Sequence, residues 1–473
     1  MSAVTTVDLR APDLRTRVQA SDRYPQLLLV TCLFGMFATT FTATILSVSV
    51  KTVAADLGST AGVIGWVVTA PLLAQAVSMP ILGRLGDMRG HRRVYLIGFS
   101  AALFFSVCTA LAWDAASLIT FRTLAQLAGT ATVPASFAML FHAFPPEERV
   151  RASAWASGAL SGASVTGLAI GGVIIDSIGW RPLFLIQALL SAAALLPAFF
   201  VLREDEERAP VRMDKAGAVA LAVAAFSLSF GANRAAVWGL HPVVVALVVV
   251  CPLAVWALVR IERRAEAPLI PLDLLARRNV RVAGGAGFLV SGSHMGSFLV
   301  TPLLLQSLFR YSATATSLIT ICRTLAISLS APLASRAGMR LGERRTATLA
   351  GVAMAIGAGV LALGSAGQVI VIVVAGMVLS GLAFGHAQPS ILAIAGNAVE
   401  DEHFGLVTSL QQTAGQIGGV TVMSFMTALV GDTEAAWTFA TAFVVAAGLA
   451  AGGSVVSARA LGARRARRLV AAA

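Results

Sequence analysis

Fourteen apolar runs separated by short charged stretches limit this chain more than any other feature. A helix needs about 20 apolar residues to cross the hydrocarbon of a bilayer. By that ruler the first six runs lie near 26–50, 62–82, 94–112, 115–142, 152–175 and 181–202. Two follow near 216–233 and 242–260, and six more near 282–306, 314–335, 346–365, 368–395, 405–431 and 436–458. Composition agrees: 57% of the residues are hydrophobic and only 12% charged. A soluble protein carries about 25% charged residues. The expectation is an all-α, multi-pass membrane protein.

Loop charge tests the count. With the N-terminus inside, 29 of the 35 Lys and Arg fall on the cytoplasmic side. The opposite side has only Lys51, Arg181, Arg234 and Arg310, while Arg122 and Arg323 lie within runs. That asymmetry follows the positive-inside rule, so both ends are expected in the cytoplasm and the net charge of +12 points away from nucleic acid. Trp66, Trp113, Trp180, Trp238 and Trp437 fall at the outer ends of runs, as an interfacial belt would place them. Cys32, Cys108, Cys251 and Cys322 all lie in apolar runs without CxxC spacing and read as small core residues, with no metal site. A polar arm precedes a first run too long for a signal peptide.

An internal repeat organises the runs. A shift of 252 residues lays Pro80, Arg84, Gly86, Gly90, Arg92 and Arg93 on Pro332, Arg336, Gly338, Gly342, Arg344 and Arg345. The repeat distance is eight runs, which implies two six-helix halves with two helices inserted between them. The expected division is a cytoplasmic arm at 1–25, a first half at 26–202, linkers with two extra helices at 203–281, a second half at 282–458 and a basic tail at 459–473.

The stretch Gly83 to Arg93 reads Gly-Arg-Leu-Gly-Asp-Met-Arg-Gly-His-Arg-Arg. Gly83, Gly86 and Gly90 suit a tight loop, and its four arginines place it at a membrane face. It resembles the signature loop Gly-x-Leu-x-Asp-x-x-Gly-Arg-Arg of the major facilitator superfamily, with His91 in place of the first arginine of the pair. Fourteen spans with a central insertion resemble the drug:proton antiporter branch. That resemblance implies a transporter rather than an enzyme, in the plasma membrane, acting as a monomer on a small molecule by alternating access with protons as coupling ion. Export of amphipathic compounds is the leading expectation. Uptake of a neutral or anionic metabolite, and a transport-dead sensor or scaffold, are the alternatives. The resemblance also implies that Asp87, with Arg92 and Arg93, holds the cytoplasmic side closed.

Further residues carry the resemblance with departures. Arg122 matches the family's helix 4 arginine, while Gln126 matches its glutamine with a one-residue displacement. Gly158, Gly162, Gly167, Gly171 and Gly172 resemble the antiporter glycine signature of helix 5, with Leu168 in place of a proline. Small residues at such spacing let helices approach and hinge. Where relatives often carry an acid on helix 1, this chain has Thr42. No Asp or Glu falls inside any run, which leaves Arg122, Arg323, His294 and His386 as the ionisable residues there, apart from the thiols. Arginine cannot cycle protons, whereas histidine can. Gln411 and Gln412 complete the cavity candidates. No nucleotide-cradling motif or other cofactor signature is present, so uphill transport would draw on an ion gradient.

Overall fold

The computed structural model describes residues 14–144, 146–203, 214–265, 268, 272–399, 404–431 and 435–462. All regular elements among them are helices. The first half holds α1 (Leu14–Gln19), α2 (Tyr24–Asp56), α3 (Ala61–Ile64), α4 (Trp66–Arg89), α5 (His91–Ala110), α6 (Ala115–Gly129), α7 (Thr132–Ala143), α8 (Pro146–Ile178) and α9 (Arg181–Val201). The inserted pair is α10 (Lys215–Trp238) and α11 (Pro242–Glu262). A short α12 (Leu272–Ala276) then leads into α13 (Arg278–Ser307), α14 (Ala313–Leu341), α15 (Glu343–Ala366), α16 (Ile370–Gly396), α17 (Phe404–Val430) and α18 (Ala436–Ala458).

Twelve helices among the described residues are long and apolar enough to cross a membrane. The expected fourteen is not confirmed by that measure, and the two runs that fall short are 115–142 and 152–175. The first is split at Thr130 and Ala131 into α6 and α7. Pro134 has no N–H for the Thr130 carbonyl, and the Thr132 hydroxyl bonds back to Gly129 O at 2.8 Å. The second lies in α8, where the apolar stretch among the described residues is Gly162–Ile178.

The stretch Gly83 to Arg93 is not a loop. Helix α4 runs through Arg89 and α5 starts at His91, so Gly90 alone makes the corner. Its φ of 92° is open to glycine and strained for other residues. Gly342, one repeat later, joins α14 to α15 with φ 82°. In both corners the glycine N–H donates to a carbonyl four residues back, Gly86 O or Gly338 O, at 2.9 Å. The sequence repeat is therefore a repeat of backbone geometry.

Because lipid tails are as apolar as leucine, close packing rather than water exclusion holds such helices together. At the α15–α16 crossing, a Cβ on Gly357 would stand 2.8 Å from Ser380 N, and one on Gly376 2.8 Å from Leu361 N. The two backbones touch because side chains are absent there.

Three large apolar clusters show how the halves meet. One end of the bundle is rich in arginine, from Arg89, Arg92 and Arg93 to Arg336, Arg340, Arg344 and Arg345; the other end is poor in it. At the arginine-poor end a single cluster joins Val50, Leu118 and Phe184 of the first half to Leu303, Met426 and Phe439 of the second. At the arginine-rich end the clusters formed by the described residues are separate. One holds Leu28, Tyr95, Leu140 and Leu202 of the first half; the other holds Val280, Ala347, Ile391 and Val407 of the second. Among the described residues, one cluster seals the halves together at one end and separate clusters leave them divided at the other.

The inserted pair lies on one flank. Helix α10 touches both halves: Trp66 packs on Phe230 at 5.6 Å, and the hydroxyls of Ser229 and Thr421 are 3.0 Å apart. Helix α11 packs on α10 and leaves Val248, Leu253 and Trp256 exposed to the surroundings.

Candidate functional site

Helices α13, α14 and α16 bring together the polar core of the second half. Arg323 on α14 is fully buried. Its Nη2 donates to Thr301 Oγ1 of α13 at 3.1 Å, while Nε and Nη1 have no partner among the described residues. Gly381 of α16 lets the backbones close over it, since a Cβ there would stand 2.6 Å from Arg323 O. His294 of α13 is 5% exposed and stacks on Phe384 of α16, with ring centroids 3.8 Å apart and an interplanar angle of 8°. A guanidinium in such a setting is costly unless an anion or a dipole meets it.

The first half offers one counterpart. Arg122 on α6 is 2% exposed, so it does not snorkel to the interface. Its guanidinium carbon lies 5.9 Å over the Phe184 ring of α9, and Nε has no partner among the described residues. Gln126, one turn further along, is half-buried, and its backbone carbonyl accepts the Thr130 hydroxyl at 2.7 Å.

The remaining candidates are dispersed. His386 lies two positions beyond Phe384, which puts it on the opposite face of α16 from the His294 stack. It lines a groove of about 280 Å³ with Leu341 of α14 and Leu349 of α15, and its Nδ1 is 2.8 Å from Leu382 O. Gln411 on α17 is buried against Gly287 of α13, with both amide atoms unpartnered among the described residues, whereas Gln412 is exposed. The side chains of Thr42 and Asp87 and the surroundings of Gly158 lie outside the described residues. Gly162 has open space where a side chain would go, and Gly167 and Gly171 are buried. Gly172 is pressed against the other half: a Cβ would stand 2.7 Å from Ala313 O of α14. Arg92 donates to Phe199 O at 3.4 Å, and Arg93 is exposed.

The arginine-poor end holds contacts that sequence reading missed. Trp180 is buried, not part of an interfacial belt, and its Nε1 donates to Asp56 Oδ2 at 2.9 Å. Arg181 pairs with the same oxygen at 2.6 Å and also donates to Ala112 O at 3.2 Å. The indole hydrogen bond, then the arginine, hold the Asp56 carboxyl below the usual carboxylate range. Asp176, near the end of α8, accepts from the backbone N–H groups of Ala313 at 3.2 Å and Thr314 at 2.7 Å. The contacts made by Asp56 and Asp176 span more than a hundred residues of sequence. The one signal available was a lone acid at the end of an apolar run, followed by Gly-Trp-Arg.

The fold matches solved structures of transporters. Over 90% of this chain and 97% of the other, a crystal structure titled a D-xylose-proton symporter superposes with TM-score 0.65 at 14% identity. A crystal structure of the nucleoside transporter NupG, in a mutant form, matches 94% of this chain and 99% of its own with TM-score 0.64 at 12% identity. Identities that low speak to the fold alone.

Sequence relatives are nearer. Multidrug resistance protein 3 of Bacillus subtilis is 30% identical over 313 residues, 65% of this chain and 60% of that protein. The tetracenomycin C resistance and export protein of Streptomyces glaucescens is 30% identical over 60% of this chain and 53% of its own length. Multidrug resistance protein Stp of Mycobacterium tuberculosis is 27% identical over 89% of this chain and 78% of its own. The first two alignments therefore span less than two thirds of those relatives. The sequence pattern of the Major Facilitator Superfamily matches residues 32–276 and 283–471, and the chain belongs to that family.

Proposed function

We propose that the chain exports small amphipathic molecules by alternating access, driven by protons, as one polypeptide in the plasma membrane with both ends cytoplasmic. The observation that carries this is the contrast between the two ends of the bundle. One cluster seals both halves together at the arginine-poor end, and separate clusters leave the halves divided at the arginine-rich end. A divided cytoplasmic end is where a drug-like molecule would enter for export. The names of the relatives, multidrug resistance and export proteins, favour that direction.

Fourteen crossings belong to this reading, with the broken α6–α7 pair and the 33-residue α8 supplying the two that apolarity alone does not count. The halves are 26–202 and 282–458, joined through the pair in 203–281. Two buried arginines and no carboxylate within the apolar runs favour neutral or anionic cargo over quaternary ammonium cargo. Of the two histidines, His294 is the better placed to couple protons, because it shares α13, α14 and α16 with Arg323 while His386 faces the other side of α16. Asp87, with Gly83, Gly86 and Gly90, belongs to the closing of the divided end.

The test is flux in proteoliposomes under an imposed pH gradient, using a panel of lipophilic weak acids, neutral compounds and quaternary ammonium dyes. Gradient-dependent movement of acids or neutral compounds, lost in His294→Gln, is the expected result. Dyes moving faster than acids would overturn the substrate assignment. Unchanged pH dependence in the His294→Gln/His386→Gln double variant would overturn histidine coupling.

A further inference from the structure

We infer that Asp176 is the latch of the arginine-poor gate, a carboxylate on one half that caps a helix of the other and must let go in each transport cycle. The inference rests on the alternating-access reading above and adds the residue that holds one of its two states.

The geometry is specific. Asp176 sits on the last turn of α8, two residues before that helix ends. Its two oxygens take one backbone N–H each, Oδ1 from Ala313 and Oδ2 from Thr314. These belong to the first turn of α14, where no carbonyl within the helix is available to them. The hydroxyls of Ser312 and Thr314 bond to the same carboxylate. A negative charge at this end also meets the positive end of the α14 dipole. Ser312 is already the N-cap of α14, its Oγ accepting from Ala315 N at 3.2 Å. The carboxylate thus satisfies the N–H groups that the helix's own cap leaves over, and it comes from the opposite half. One turn back along α8, Gly172 brings the backbone against Ala313 O and Ser317 so that the carboxylate can reach.

The molecule supplies its own control. Asp114 does the same chemistry inside one half: it caps α6, with Ser117 N donating to its Oδ1 at 2.7 Å in a capping box. Removing that cap weakens a helix start at the same end without removing a hydrogen bond that crosses between halves. A latch and a mere cap are therefore separable by experiment.

Ser317 is buried at the seam opposite Gly172, so it is covered when this end is closed. In a background with the four native cysteines replaced, Ser317→Cys places a thiol there. Its labelling rate by a membrane-impermeant maleimide in nanodiscs then reports opening. Asp176→Ala should raise the rate about tenfold, the scale of losing a cap across one equilibrium. Asp176→Asn, which keeps an acceptor, should raise it less. Ala313→Pro tests the other partner: proline suits the first helical position and removes the N–H that meets Oδ1. It should also raise the rate. Asp114→Ala should leave it unchanged.

Equal rates in Asp176→Ala, Ala313→Pro and the parent would overturn the latch. So would an equal rise in Asp114→Ala, which would mean general loosening. The readout needs no cargo, so an absence of flux beside the expected labelling pattern would sink the export reading and leave the latch standing.

Discussion

The two ends of this bundle are built from the same kinds of residue and behave as different materials. At the arginine-poor end, aromatic and aliphatic side chains of both halves interleave, and Asp176, Gly172 and α14 tie the seam. At the arginine-rich end each half has its own cluster, and the corners at Gly90 and Gly342 turn each half back on itself. What differs among the described residues is whether one apolar cluster crosses between the halves. Interleaved side chains, the Gly172 crossing and the Asp176 carboxylate can part while each half keeps its own packing, which is what a rocking pair of rigid bodies requires.

The largest expected effect comes from fixing the sealed end. Gly172→Cys with Ser317→Cys, in the background without native cysteines, puts two thiols on facing positions of α8 and α14 after a small retreat of the helices. Oxidation should cut flux at least about a hundredfold, because the outward-open state becomes unreachable. Reductant should restore it. Full flux through the oxidised protein would break the comparison, since the seam would then not need to open.

A smaller effect sharpens the repeat. Gly90→Ala and Gly342→Ala each force a side chain into a left-handed corner, at about 1–2 kcal/mol. Both should lower the melting temperature of the purified protein, and by similar amounts, because the two corners share their hydrogen bonds. A loss at one corner only would mean that the halves are not equivalent there.

How much of this was legible in the sequence follows contact range. Run length and loop charge carried the membrane class, and the 252-residue shift carried the matching corners, because both are written in local residue types. Pro134 shows that the α6–α7 break was also readable, since a proline withdraws the N–H that Thr130 needs. Trp180 was misread for the opposite reason. Its partner Asp56 lies 124 positions away, so position alone suggested a belt residue. Asp176 was visible as an acid at a run's end, but its partners are 137 and 138 positions along the chain. The state of the gate cannot be written locally at all: it depends on which clusters merge across the halves. In sequence His386 ranks slightly above His294, because Pro389 three positions on can open its helix, and their opposite sides of α16 reverse that order.

The smallest expected effect lies at the rim of the sealed end. The bond from Trp180, then that from Arg181, lowers the Asp56 carboxyl below its unfolded value. A group lowered in this way contributes stability that is fully present above the unfolded pKa of about 3.9 and lost as pH falls through the folded value. Both charged side chains of the Asp56–Arg181 pair are more than two fifths exposed, so solvent screening leaves about half a kcal/mol. Asp56→Asn should therefore lower stability slightly at neutral pH and converge with the parent below about pH 3 in chemical denaturation. A gap that widens on acidification would contradict the sign.

The two ends should open in turn. Spin labels at Thr52 and Gln368 would report the arginine-poor end, and labels at Arg89 and Ala458 the arginine-rich end; all four positions are exposed. Pulsed electron–electron distance measurements in nanodiscs, with and without a transported compound, should give opposite shifts. One pair should shorten as the other lengthens, and the resting protein should show the arginine-poor pair in its short state. Two pairs that lengthen together, or that stay fixed while flux proceeds, would contradict the account.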